Sequence, residues 1–291
     1  MFDVVTVGSN VVDVFVDTNI HEKKKALNYP VGSKLLIKDI RFDIGGGGTN
    51  AGVAFSRLGL RTGYAGKVGK DNNGKEILAL LRNEKVRFLG KREGKSDVSI
   101  ILDSKEHGRT VLTKKALNNT LKLRNIKKFK TKWLYYSTMM GESFETQLEL
   151  ARKMKARIAF NPTEYLIKRV NLKPLLKLTK ILILNKEESK MLAKNIEKLR
   201  EMGPEIVCIT DKDKEIKCYN GIRTYKIKPH RIKVVERTGA GDAFAATFVG
   251  CMIKGFSIDR SLNLAVKNSE SIIKYIGAKN KLLRWKNGGL R

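Results

Sequence analysis

Two short stretches of the chain combine glycines with groups that could handle an anion. They are Gly45-Gly-Gly-Gly-Thr-Asn50 and Thr238-Gly-Ala-Gly-Asp242, and each stands directly before a helical pattern. A helix start presents unpaired N–H groups and a partial positive charge, and glycine lets a ligand come close to that backbone. The second stretch adds a carboxylate beside donors aimed at an anion. A negative group is unwelcome beside a phosphate unless it is there to accept a proton. Donors for developing phosphate charge with a base alongside are what phosphoryl transfer to a hydroxyl requires. Each stretch also has a plainer reading: a glycine run can be only a tight turn, and an acid at a helix start can be only a cap. Neither stretch ends in Gly-Lys-Ser/Thr, so neither is a Walker-type phosphate loop.

The elements that must carry these loops follow from periodicity. Residues 2–7 alternate and end at Gly8, as a first strand does. Alternating polar and apolar residues recur over 11–16, 34–44, 97–103 and 109–113, the last two flanking a turn at Glu106-His-Gly108. The helical spacing after Gly48 closes at Gly59. A strand over 62–68 and a helix over 72–83 follow. Strands near 132–136, 157–161, 180–184 and 205–209 then alternate with helices near 143–154, 186–192 and 194–202. A hairpin over 215–227 turning on Asn220-Gly221 and helices over 240–254 and 258–275 lead to a basic tail. Strand-helix alternation predicts a doubly wound, mostly parallel sheet between two helical layers. The polar-alternating strands do not suit a sheet buried on both faces, so lid strands within 11–17, 34–44 and 97–113 are expected to project as a small second sheet with one polar face. With no linker or repeat in view, residues 1–291 read as one domain with a lid.

Composition narrows the rest. A chain of 291 residues with 42% hydrophobic and 30% charged content can bury a core without metals or disulfides. Cys208, Cys218 and Cys251 are scattered, with no zinc or disulfide spacing. The start lacks a basic leader, and the longest apolar stretch, 243–253, is far short of the roughly 20 residues that cross a bilayer. A cytoplasmic, reducing setting is expected, without a membrane partner. The net charge of +30 invites a nucleic-acid reading. Against it, lysines outnumber arginines 41 to 18, the excess is spread along the chain, and the basic runs lack stacking aromatics. A solvated lysine-rich surface that attracts anionic nucleotides is the expectation.

Taken together, the motifs resemble the ribokinase, or PfkB, family of carbohydrate kinases over essentially the whole chain. The resemblance rests on Gly8 through Asp13, Gly45-Gly-Gly-Gly-Thr-Asn50 with Leu58-Gly-Leu-Arg61, and Val68-Gly-Lys-Asp71 with Gly74. It continues through Asn185-Lys-Glu-Glu188, Glu236-Arg-Thr-Gly-Ala-Gly-Asp-Ala-Phe244, and Asn268 with Gly277-Ala278. It implies a ribokinase-like three-layer α/β/α fold with a small β-sheet lid. The implied activity moves a phosphoryl group from ATP or ADP, with Mg2+, to a hydroxyl of a sugar, polyol or nucleoside. By resemblance, Asp242 is the catalytic base, and the amides of Gly239, Ala240 and Gly241 form an anion hole. Asp13, Gly46, Gly47 and Asn50 hold the substrate. Asn185, Thr210, Thr238, Gly239, Gly241 and Asn268 meet the nucleotide, and Glu188 helps to organise the metal.

Three departures bear on these roles. Where the family has Thr-x-Gly-x-x-Gly, this chain reads Thr210-Asp-Lys212-Asp-Lys-Glu215, which opens the choice of ATP or ADP and points to a rebuilt loop. Glu236 replaces the usual Asp, which leaves monovalent-cation activation open. Lys115-Ala-Leu-Asn118 replaces Gly-Ala-Asn near the lid. A sugar-phosphate kinase is the alternative enzyme, with Arg109 and Lys114 as a convergent pair gripping the phosphate. A catalytically idle relative serving as a basic binding module is the alternative from another class. Pairing of two lids into a homodimer stays open.

Overall fold

A computed structural model of the chain describes residues 1–291 apart from positions 25, 107, 237, 276 and 287. The turn expected at 106–108 and the signature stretch 236–244 each contain one position, 107 and 237, outside the described residues.

The main sheet has nine strands. From one edge the order is Thr224–Ile227, Ile216–Tyr219, Ile206–Thr210, Ile181–Asn185, Arg157–Asn161, Thr131–Ser137, Phe2–Val7, Thr62–Ala65 and Arg87–Phe88. All neighbours run parallel except the hairpin at the first edge, which pairs antiparallel. Because side chains alternate across a strand, each central strand serves two cores. Trp133 and Tyr135 pack with Phe55, Phe244 and Phe248 on one face. Leu134 and Tyr136 pack with Phe144, Leu148 and Leu199 on the other. The three-layer expectation is met.

A second sheet of four strands stands apart, in the order Asp39–Gly45, Val11–Asp17, Val98–Asp103, Arg109–Lys114. Residues 34–38 do not join it, so the expected strand over 34–44 begins later, at Asp39. Register separates its two faces. One row across the sheet is Phe42, Val14, Ile100 and Leu112, and the next residue along each strand gives the row Asp43, Asp13, Ser99 and Thr113. The polar face therefore exists but turns toward the main sheet. The outward face is apolar, with Phe42 69% and Leu112 54% exposed.

The helix Gly47–Arg57 begins where the first strand ends. A side chain at Gly48 would lie 2.6 Å from the Gly8 carbonyl carbon, so only glycine allows this backbone contact. Gly46, the residue before the helix, has φ 96, a conformation other residues avoid.

The lid is rooted by a buried carboxylate. Asp97, 1% exposed, accepts from the amides of Ala116 (2.9 Å), Leu117 (2.9 Å) and Asn118 (3.0 Å) and from Asn118 Nδ2 (2.6 Å). Asn118 in turn pairs with the backbone of Asn10, donating to its carbonyl and accepting from its amide. The departure Lys115-Ala-Leu-Asn118 thus retains an asparagine whose work is to tie the lid's return strand to its first strand. Removing a buried, charge-assisted acceptor leaves several amides unsatisfied. Asp97→Ala is expected to cost about 3 kcal/mol or more in urea unfolding; a midpoint matching the parent would show that the root does not depend on this carboxylate.

Candidate active site

The two glycine-rich helix starts meet. The helix Ala240–Ile253 is preceded by Gly239, which takes the left-handed backbone (φ 78). Its first amides have no carbonyl partners within the helix. At Gly241 a Cβ would meet nothing within 4 Å, so this backbone faces open space that a phosphate can enter. Asp242 is the third helical residue, not the cap. Its Oδ2 accepts a 2.8 Å hydrogen bond from Asn50 Nδ2 on the other glycine-led helix. The capping reading of Asp242 is therefore set aside. Burial pushes its carboxyl above the ordinary aspartate value, while the Asn50 donor and the charge of Lys279 pull it back.

Facing Asp242 across the cleft is the polar side of the lid. Asp13 and Asp43 stand opposite each other on neighbouring strands. Burial raises Asp13 to about 6, against the pull of Lys279 and with the push of Asp43. Lys279 is 5% exposed, donates to Asn50 Oδ1 at 3.0 Å and lies 3.9 Å from Asp43 Oδ1. Asn50 bonds to Asp242, a Cβ at Gly47 would lie 3.6 Å from Asp242 Oδ1, and Asp13 and Asp242 both act on Lys279. Asp43 and Lys279 are additions that sequence reasoning missed. The one signal for Lys279 was its place directly after Gly277-Ala278.

A cleft of about 570 Å3 opens on the other side of Gly241. Ile216, Ile232, Val234, Phe244, Val266 and Ile273 give it an apolar wall, and Asn185, Thr210, Lys212 and Gly241 a polar end. That division suits a flat base joined to phosphates. Lys212 takes φ 52, so the loop keeps a left-handed turn at a position where the family has glycine. Asp211 is held by Lys186 at 2.7 Å.

Four of the expected site residues are engaged in contacts within the protein or stand apart. Glu188 closes a capping box: its Oε2 accepts from the Asn185 amide (2.7 Å), and Asn185 Oδ1 accepts from the Glu188 amide (2.8 Å). Its carboxylate is turned back onto its own helix, and Glu187 lines the cleft instead. Asn268 is fully buried, donating to Thr247 Oγ1 (2.7 Å) and accepting from the Leu283 amide (2.9 Å). It pins the C-terminal segment, while Ser269 and Glu270 face the cleft. Arg109 lies on the polar face of the lid, with the parity of Thr113 and Asp13. It reaches from the lid to Thr238 Oγ1 (2.8 Å) and Glu236 Oε1 (3.3 Å). Lys114 is five residues further along the same strand and so on the opposite lid face, next to Val98. The two cations do not converge.

Comparison with known proteins agrees with this geometry. Residues 1–285 match the model of the pfkB family carbohydrate kinases. The chain belongs to the pfkB family. Members of this family are carbohydrate and nucleoside kinases, which transfer a phosphoryl group from a nucleotide to an alcohol acceptor. An uncharacterized sugar kinase of Archaeoglobus fulgidus is 29% identical over 248 residues, spanning 80% of this chain and 99% of that protein. The nucleoside kinase of Methanocaldococcus jannaschii, an archaeal member of the ribokinase family, superposes with a TM-score of 0.80 at 20% identity, over 96% of this chain and 94% of its own. A ribokinase II structure from E. coli, in complex with ATP and Mg2+, superposes at 0.79 with 16% identity, over 97% of this chain and 96% of its own. Among the described residues no helix is long and apolar enough to cross a membrane, and no cluster of three His, Cys, Asp or Glu is placed to hold a metal.

The raised pKa of Asp13 has a consequence for stability. A folded-state value of about 6 against an ordinary 3.8 means that the ionised form is disfavoured in the fold. This group's stability contribution is best below 3.8, falls as the pH rises to about 6 and is then flat. Asp13→Asn is expected to stabilise the ligand-free protein at pH 7.5, on the order of 2 kcal/mol, with the gain shrinking as the pH falls from 6 toward 4. Thermal melts of both proteins at pH 7.5 and 4.5 check this; equal melting temperatures at pH 7.5 would refute it.

Proposed function

We propose that residues 1–291 act as one kinase unit that phosphorylates a neutral, hydroxyl-rich acceptor such as a sugar, polyol or nucleoside, with Asp242 as the base. The observation that carries this is the hydrogen bond between Asn50 and Asp242 at the meeting of the two helix starts. It aims the carboxylate away from its own helix and into the space under the lid. Asp13, Asp43 and Asp242 are acceptor groups with room for further donors, which the hydroxyls of a polyol supply, whereas a phosphate group on the substrate would add only acceptors and like charge. With the unpaired grip of Arg109 and Lys114, this favours a free hydroxyl compound over a sugar phosphate.

The mechanism follows from position. The donor nucleotide lies in the cleft with its transferring phosphate at the amides of Gly239, Ala240 and Gly241, where helix-start donors match the charge that develops in transfer. The acceptor hydroxyl lies between this hole and the lid, gives its proton to Asp242 and attacks the phosphorus, and the nucleotide diphosphate leaves. ATP is the proposed donor. Magnesium fits as an ion that travels with the phosphates, keeps most of its waters and needs one or two carboxylates; Glu187 and Asp213 line the cleft and can serve. When bound, it would offset phosphate charge. Glu236 uses its oxygens on Arg109 and the Gly277 amide, so no monovalent-cation step is proposed.

Asp242→Asn keeps size and shape and removes the proton acceptor. It should leave a folded, nucleotide-binding protein whose kcat is lower by about 10²–10⁴. Near-normal turnover on the best acceptor found in a screen of pentoses, hexoses, inositol and nucleosides would dispose of the base assignment.

The proposal extends to a homodimer through the lid. Its outward row Phe42, Val14, Ile100 and Leu112 is apolar across all four strands; Val14 packs against the cluster around Ile77 and Leu81, and Phe42, Ile100 and Leu112 are exposed. Charges on this row, as in Phe42→Asp with Leu112→Asp, should convert a dimer to a monomer in sedimentation; a parent protein that sediments as a monomer at micromolar concentration would end the idea.

A further inference from the structure

Lys279 is a buried cation for which the donor cleft has no use. Its carbonyl accepts from Arg57 Nη1 at 2.9 Å, which fixes the backbone beside the first helix. From there the ammonium reaches the acceptor side of the site. It donates to Asn50 Oδ1 at 3.0 Å, and the far end of the same amide donates to Asp242 Oδ2 at 2.8 Å. An amide side chain can turn over, exchanging its donor and acceptor ends. An ammonium has only donors, so it holds the oxygen of Asn50 toward itself and the NH2 toward Asp242.

Charge points the same way. The groups acting on Lys279 are Asp43 and Asp13 from the lid, Asp242 from the helix Ala240–Ile253, and Arg57 as the single like charge. Asp13 has in addition Lys115 and the Ser99 hydroxyl beside it, and the buried Tyr135 phenol lies within reach of the Asp242 charge. Asp13 and Asp43 repel each other, Asp242 is buried, and all three act on Lys279, so without that cation each would hold its proton more readily. A protonated Asp242 cannot take the proton of an acceptor hydroxyl.

We propose that Lys279 is a positioning residue for the phosphoryl transfer: acting through Asn50, it orients the donor on Asp242 and supplies the positive charge that Asp13, Asp43 and Asp242 share. This rests on Asp242 being the base. Among the described residues, the side-chain hydrogen bond and ion pair of Lys279 go to Asn50 and Asp43, and its carbonyl accepts from Arg57. None of these lines the nucleotide cleft, so its effect is expected in the acceptor half of the reaction.

The test compares pH profiles. Lys279→Met keeps much of the side chain's length and removes its charge. Its kcat should fall at least tenfold at pH 7, and the acid limb of the profile should move up by about one pH unit or more, recovering activity at alkaline pH. Nucleotide affinity should be unchanged. Lys279→Ala should regain part of the lost rate when methylammonium or ethylammonium is added, and nothing with acetamide, a neutral molecule of similar size. A purely structural lysine would show neither the moved limb nor the amine rescue. An acid limb coincident with the parent's, or a Lys279→Ala enzyme indifferent to alkylammonium, overturns the inference. The outcome is separable from the base assignment: an inactive Asp242→Asn beside an unshifted Lys279→Met sinks only the role of Lys279, whereas an active Asp242→Asn sinks the base.

Discussion

Much of this structure depends on two helices starting at one point. The helix Gly47–Arg57 leaves the first strand with its backbone against Gly8, and the helix Ala240–Ile253 arrives beside it. The 2.8 Å bond from Asn50 to Asp242 joins residues 192 positions apart. Every larger feature serves this meeting. The parallel strands bring their carboxyl ends to the same edge, where open α/β sheets bind ligands. The small residues at the helix starts leave open space beside Gly241. The lid turns its polar row of Asp43, Asp13, Ser99 and Thr113 toward this meeting.

The site carries an electrostatic load that no folding argument would choose. Asp13, Asp43, Asp242 and Lys279 are drawn into one partly dry space, and burial works against the charged form of the lysine and of two of the acids. Ion pairing relieves this only in part, because Lys279 is shared by all three acids, with Lys115 acting besides on Asp13. Two acids outside the site are well paired. Asp97 has four donors, and Glu84 holds Arg57 and Arg284. Local discomfort at the reactive centre, set in a well-bonded frame, is the pattern expected where function rather than stability selects the residues.

What could be read in the sequence was what local chemistry determines. Period-2 runs gave the lid strands, glycines gave the helix starts, and strand-helix alternation gave the layers. What could not be read depended on where distant segments come to rest. Lys279 looks like one more lysine of a basic tail until the C-terminal segment is seen folded against the first helix. Glu188 and Asn268 carry family-like letters, but their polar atoms are taken by neighbouring backbone and by Thr247. Arg109 and Lys114 are different. Their odd separation on a strand already placed them on opposite faces, so that error lay in not applying the strand period.

The same parity governs how this lid can change over evolutionary time. Wet and dry residues interleave along each lid strand, so an insertion or deletion of one residue inside Val11–Asp17 would carry Asp13 to the outside and bring Val14 over the substrate. Point substitutions and two-residue steps can be tolerated there; single-residue length changes cannot. Length can vary more freely in the exposed stretch 28–37, which lies outside any strand. Divergence among lids of this type should therefore collect in that stretch, and the strands themselves should behave as units of inheritance.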